Sequence, residues 1–322
     1  MIEKILTINN TFKSDVNKGL SSSQKYLPSK YFYDKIGDSL FVKIMNMPEY
    51  YLTNSELDIF KNKTKDLIDA LQIESDTEFD LIELGAGDGM KTKELLKVLA
   101  SSGFRFNFIP VDISQNALNN IKNSIEKDLP SINITPKQGD YFDVLDDIAI
   151  SSKPKVILFL GSNIGNMNDD KATKFMTNLS HVLNLNDKII LGVDLAKSIN
   201  IILPAYNDKQ GITKRFNLNL LHRINTELGA DFNIECFEHQ PVYNEEDGIA
   251  FSYLTSTKHQ TVYIESLKKS FEFYEGERIH TETSRKYNDD ILKNILRHTK
   301  LEIKDKLLDS KEYFADYILN KF

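Results

Sequence analysis

A single cysteine, Cys236, stands in the 322 residues. One thiol allows no intrachain disulfide and no cysteine-cluster metal site, so no metal is expected. Cys236 reads as a small buried hydrophobe. Tryptophan is absent. The accompanying richness in Asn, Lys and Ile reflects genomic base composition, and no function is inferred from it. No apolar run approaches the ~20 residues of a membrane span. The opening segment MIEKILTINNTFKSDVNKGL is too polar for a signal peptide. A basic excess is missing too. The formal net charge of -7 argues against a general nucleic-acid binder, which shows a basic face. The expectation is a soluble, cytoplasmic, monomeric protein with no membrane or nucleic-acid partner. Its length suffices for one large domain or two.

Strand and helix signals alternate from about Asp80 to Leu195. FDLIEL, FNFIPVD, KVILFLG and KIILGVDL are short apolar runs bounded by Gly, Pro, Asn or Asp, the pattern of buried strands. Helical periods lie between them, as at Ala117–Ile125 and at Lys171–Leu183. The second opens on Asn168 as its cap, with Asp169 and Asp170 in the first turn. Such alternation predicts an α/β fold with a doubly wound parallel sheet, whose ligands bind at the carboxyl ends of the strands. The rule points to Gly85–Gly89, Asp112, Asp140 and Gly161–Asn166. Residues 196–286 interrupt the pattern. A helical, tyrosine-bearing segment turns at Gly229 and gives way to GIAFSYLTS and HQTVYIES, which read as antiparallel strands. A helix at Asp289–His298 then leads to LEIKDKLLD and EYFADYIL, candidates for the last strands of the main sheet. The expected division is a cofactor-binding core of 61–195 and 287–322, and a second α+β domain of 1–60 and 196–286.

The first strand runs into Gly85, Gly87 and Gly89 before a helix. A dinucleotide turn wants its third glycine where Met90 stands, which disfavours a pyrophosphate cradle. Asp112, closing FIPVD, either accepts from the two ribose hydroxyls of an adenosine or caps the following helix. In GDYFD, Asp140 can accept from an adenine amino group while the Tyr141 amide meets a ring nitrogen. These items fall in chain order at three successive strand ends. Together they point to a class I methyltransferase using S-adenosylmethionine. Lys91 either pairs with the cofactor's carboxylate or is a solvated lysine. Further along, Glu282 and Ser284 are two apart in an extended segment, so they share a face and could grip a two-nitrogen ring.

The blocks YFYDKIGDSLF, MPEYYLTNSE, LIELGAGDGMKT, PVDIS, GDYF, FLGSNIGN, DLAK, AYND, FNLNLL, INTELGADF and HTETSRKY carry a resemblance over nearly the whole chain. They resemble the histidine-specific S-adenosylmethionine-dependent methyltransferases, ergothioneine-pathway enzymes that convert L-histidine into Nα,Nα,Nα-trimethylhistidine. The resemblance implies a Rossmann-like core with a separate substrate-binding domain, S-adenosylmethionine as cofactor and L-histidine as substrate. It implies cofactor contacts at Tyr33, Gly85, Gly87, Lys91, Asp112, Asp140 and Tyr141. Tyr50 matches the tyrosine near the amine being methylated. Gly161, Asn166 and Tyr206 match groups at the amino and carboxylate ends, with Tyr50 and Asn166 nearest the chemistry. Glu282 and Ser284 match the pair that holds the imidazole. The family carries a methionine lining that pocket. Phe251 is assigned to its position here, with Ser252 the neighbouring alternative.

Overall fold

The computed structural model describes residues 2–74, 76–140, 143–145 and 151–322, with side chains from residue 10 onward. The chain divides into two units. One, the sheet unit, comprises Tyr51–Lys197 and Arg285–Phe322; the second comprises Met1–Tyr50 and Ser198–Ser284.

The sheet unit is built on strands β1 (Phe79–Leu84), β2 (Phe106–Asp112), β3 (Asn133–Ile134), β4 (Lys137–Gln138), β5 (Lys155–Phe159) and β6 (Lys188–Asp194). Strands β12 (Leu301–Leu308) and β13 (Phe314–Lys321) complete it. Their order is β12-β13-β6-β5-β1-β2-β3, with β4 also on β2. Neighbours from β2 to β6 run parallel, while β13 is antiparallel to both β6 and β12. This is the expected doubly wound sheet, its last two strands supplied by the C-terminal segments. Both faces are covered, so the strands read as continuous apolar runs. Period-two alternation still sorts them. Ile82, Leu84, Ile157 and Phe159 enter one apolar cluster, whereas Phe79, Leu81, Val156 and Leu158 enter the other. Asn168 caps the helix Asp169–Val182, its Oδ1 accepting from Lys171 N at 2.9 Å.

The helix Tyr51–Asn62 departs from expectation. It belongs to the sheet unit, because its Ile59 and Phe60 are buried among Leu67, Phe79 and Leu95.

The second unit packs helices Lys35–Met45 and Ile212–Leu228 with a three-stranded sheet, β11-β8-β7. These strands are β7 (Phe237–Asn244), β8 (Ile249–Ser256) and β11 (Arg278–Arg285). A separate hairpin joins β9 (Gln260–Ile264) to β10 (Lys269–Phe273). The helices Ile2–Leu20 and Ile199–Tyr206 complete it. Its core includes Phe32, Phe216, Leu220, Phe237, Leu254 and Phe273. No described helix is long and apolar enough to cross a membrane.

Candidate active site

In the sheet unit the glycine turn is lashed to the neighbouring strand. Gly85 and Ala86 donate their amides to Val111 O at 2.8 and 3.1 Å. The three glycines have φ of 77°, 55° and 66°, the left-handed region that glycine reaches without steric cost. A side chain on Gly89 would collide with Ile121 of the helix Gln115–Asp128. Gly89 thus does the helix-packing work that a dinucleotide turn gives to its third glycine, one residue early. A Cβ on Gly87 would meet nothing within 4 Å, so the backbone there is open to close approach.

Asp112 ends β2 with both carboxylate oxygens aimed by backbone. Gly87 N donates to Oδ2 at 3.0 Å and Ser114 N to Oδ1 at 2.8 Å. The helix cap is Ser114, whose Oγ accepts from Ala117 N, so Asp112 is not spent on capping. Gly139 N donates to Asp112 O at 3.1 Å, which sets Asp140 beside the end of β2. Tyr141 lies outside the described residues.

Lys91 is not a solvated lysine. Its Nζ forms an ion pair with Glu56, whose side chain is fully buried on the helix Tyr51–Asn62. Burial alone would lower the ammonium's pKa, but the Glu56 carboxylate more than offsets this and raises it. Two more buried acids lie close by. Glu83 Oε1 accepts from Thr92 Oγ1 at 2.5 Å. Burial pushes Glu83 up to about 8, against the pull of Thr92 and Lys91. Asp316 is raised well above the carboxylate range by burial and by the charge of Glu56.

The loop after β5 carries Gly161 and Asn166. Gly161 N donates to both oxygens of Glu56, each at 2.9 Å. The amide is therefore committed, and what Gly161 offers a ligand is its carbonyl. Ser162 adopts a left-handed φ of 56°, braced where Asp194 N donates to its Oγ at 3.0 Å. Asn166 is exposed at the end of the loop.

In the second unit, Tyr33 and Tyr50 belong to one aromatic cluster. Phe41 stands edge-on to each, with ring centroids 5.5 Å from Tyr33 and 6.4 Å from Tyr50. Phe216 lies 5.8 Å from Phe41 and 5.9 Å from Tyr33. On the sheet, Ser252 Oγ donates to Glu282 Oε2 at 3.0 Å, and Tyr206 donates to Ser284 Oγ at 2.7 Å. Phe251 and the neighbouring alternative, Ser252, lie on opposite faces of β8. The Phe251 ring stands against Tyr253 and His280 at 6.1 and 5.7 Å. Ser252 is the residue that reaches Glu282. On β11, Thr281 Oγ1 donates to the backbone carbonyl of Ser252 at 3.0 Å, and the next residue, Glu282, accepts from the Ser252 hydroxyl. Tyr206, expected at the amino and carboxylate ends of a substrate, stands within hydrogen-bond reach of Ser284.

Sequence reasoning missed Glu56, Glu83, Asp316 and Phe41. Glu56 had a signal: it falls in helical register with Leu52, Ile59 and Phe60 on the face that is buried.

The chain matches, over residues 12–321, the model of a family described as histidine-specific methyltransferase, SAM-dependent. It is 34% identical over 275 residues to a histidine N-alpha-methyltransferase of Mycolicibacterium smegmatis, covering 85% of this chain and 84% of that one. It is 28% identical over 302 residues to ergothioneine biosynthesis protein 1 of Schizosaccharomyces pombe, covering 92% of this chain and 39% of the relative. An N-methyltransferase of Aspergillus fumigatus is more distant, at 25% over 316 residues, 96% of this chain and 83% of the relative. With these matches laid over the glycine turn and the three strand ends, the chain belongs to the family of histidine-specific, S-adenosylmethionine-dependent methyltransferases.

Proposed function

We propose that the protein methylates the α-amine of L-histidine in successive steps, giving Nα,Nα,Nα-trimethylhistidine for ergothioneine biosynthesis. The observation that carries the choice of acceptor is the pairing around Glu282 and Ser284. Ser284 carries a hydroxyl, a group able to donate, and its Oγ accepts from Tyr206. Glu282 is an acceptor steadied by Ser252. A donor and an acceptor together match imidazole, which has one nitrogen to accept and one N–H to give. Indole has only the N–H and would leave the serine donor unmatched.

The residues at the glycine turn fit S-adenosylmethionine. Asp112 would hold the ribose hydroxyls, Asp140 the adenine amino group and Lys91 the carboxylate, with open backbone at Gly87 for close approach. When bound, that cofactor supplies an electrophilic methyl group on a sulfonium. The chain's own share is positioning and exclusion of water. The Gly161 carbonyl accepts from the amine and Asn166 takes the carboxylate end. As methyl groups accumulate the amine becomes a cation without N–H donors. Tyr50, with Phe41 and Tyr33 around it, then offers aromatic faces that attract such a cation without hydrogen bonds. We take the protein to act as a cytoplasmic monomer on the free amino acid, with neither nucleic acid nor membrane as partner; the net charge of -7 supports the absence of a nucleic-acid partner.

The test is a panel of amino acids and amines with isotope-labelled S-adenosylmethionine, the products read by mass spectrometry. Label in trimethylated histidine is the expected result. Transfer to tryptophan or tyramine but not to histidine would overturn the assignment.

A further inference from the structure

We propose that Glu56 is a positioning residue serving both ends of the reaction: one buried carboxylate aims the Lys91 ammonium and holds the Gly161 loop. Glu56 is 0% exposed, and its two oxygens take the Gly161 amide at 2.9 Å each while pairing with Lys91. An ammonium has three donors, so one committed to Glu56 fixes where the other two point. The two partners are close to each other as well. A Cβ on Gly161 would lie 3.4 Å from Lys91 Nζ, so the ammonium sits against the Gly161 backbone.

The surroundings leave Glu56 to supply the counter-charge. A Cβ on Gly192 in β6 would collide with both Glu56 Oε1 and Asp316 Oδ1, so the two carboxyl groups crowd one spot, and only glycine makes room for them. Neighbouring carboxyls do not both ionise. Asp316, fully buried beside the Glu56 carboxylate, is pushed toward its protonated form by burial and by that charge. Glu83, beside Asp88 and Lys91, is neutral at neutral pH by its raised value. A fold gains little from such a pair, since desolvating two charges offsets most of their attraction. Aiming a lysine is a reason to keep it.

The inference rests on the reading of Lys91 as the partner of the cofactor's carboxylate, and the experiment separates the two ideas. Calorimetry would compare S-adenosylhomocysteine with methylthioadenosine, the same nucleoside thioether without the amino-acid end. Their affinity ratio separates the contacts of the amino-acid end, the carboxylate among them, from the nucleoside contacts at Asp112 and Asp140. Glu56→Gln keeps the shape and an acceptor for Gly161 N but removes the negative charge that faces Lys91. In this variant the ratio is expected to fall on the order of tenfold, with methylthioadenosine binding unchanged. In Glu56→Ala, which also releases Gly161, KM for histidine is expected to rise as well. A folded Glu56→Gln protein with the wild-type ratio would overturn the role of Glu56, provided Lys91→Met abolishes the preference. If Lys91→Met also leaves the ratio intact, the reading of Lys91 itself falls, and this inference with it.

Discussion

Asp112 illustrates why a single residue can resist conservative change. Each of its two carboxylate oxygens accepts one backbone amide, from Gly87 and from Ser114. An amide side chain has a single acceptor oxygen, so Asp112→Asn must turn its NH2 toward one of those N–H groups. The glycine turn loses a tie, and the proposed ribose contact loses a charge. The expected result is a fall in S-adenosylhomocysteine affinity on the order of tenfold or more; wild-type affinity in a titration of the Asn variant would refute it. Glu282 gives the complementary test. Glu282→Ala removes a charged acceptor worth about 1.5–3 kcal/mol. Histidine affinity should drop about tenfold or more while cofactor affinity holds. Unchanged histidine binding would refute its assignment to the imidazole. Ser252→Ala, which deletes only the hydroxyl bonded to Glu282, should have a smaller effect of the same kind, about 1 kcal/mol in histidine KM.

At the scale of elements, the glycine turn and the helix Gln115–Asp128 are one packing unit. Gly89→Ala puts a methyl into Ile121 at a backbone φ of 66°. Left-handed strain costs about 1–2 kcal/mol and overpacking about 1–3 more. The variant should melt well below wild type and bind cofactor weakly, and an unchanged melting temperature would show that the helix yields freely. The elements themselves were largely legible. Fully buried strands announce themselves as apolar runs, and caps such as Asn168 mark helix starts. The fold rule points to the strand ends, and the structure places Asp112 at the end of β2 with Asp140 beside it. What stayed hidden depends on tertiary pairing. Glu56 reads locally as one more helical acid, and nothing near it in sequence reveals Gly161 or Lys91 as partners. Phe251 and Ser252 differ by one residue, and one residue in a strand is a change of face. The hydrogen bond from the Ser252 hydroxyl to Glu282 is a tertiary pairing that neither strand reveals alone.

Across the whole molecule, the two units carry buried titratable groups of opposite kind. Glu83 lies in β1 of the sheet unit, raised by burial from 4.5 to about 8. Between those values the folded unit keeps a proton that the unfolded chain has lost, so stability falls as pH rises through that window. His239 lies in β7 of the second unit. Its Nε2 is sealed from solvent without a hydrogen-bond partner among the described residues, and burial lowers its pKa from 6.5 to about 4, with Asp208 pulling the other way. There the unfolded chain binds the proton that the folded unit refuses, so stability is lost as pH falls from about 6.5 toward 4. The two units should therefore weaken at opposite ends of the pH range. Hydrogen exchange, corrected for its intrinsic pH dependence, can follow each unit by its own peptides. Protection around β1 should decline from pH 6.5 to 8, by no more than about 2 kcal/mol at roughly 1.4 kcal/mol per pKa unit. Glu83→Gln, which keeps an acceptor for Thr92, should remove that decline and leave the acid loss around β7 in place. Equal alkaline losses in wild type and Glu83→Gln would mean that Glu83 is not held neutral, and the buried charge around Lys91 would then have to be divided differently among Glu56, Glu83 and Asp316.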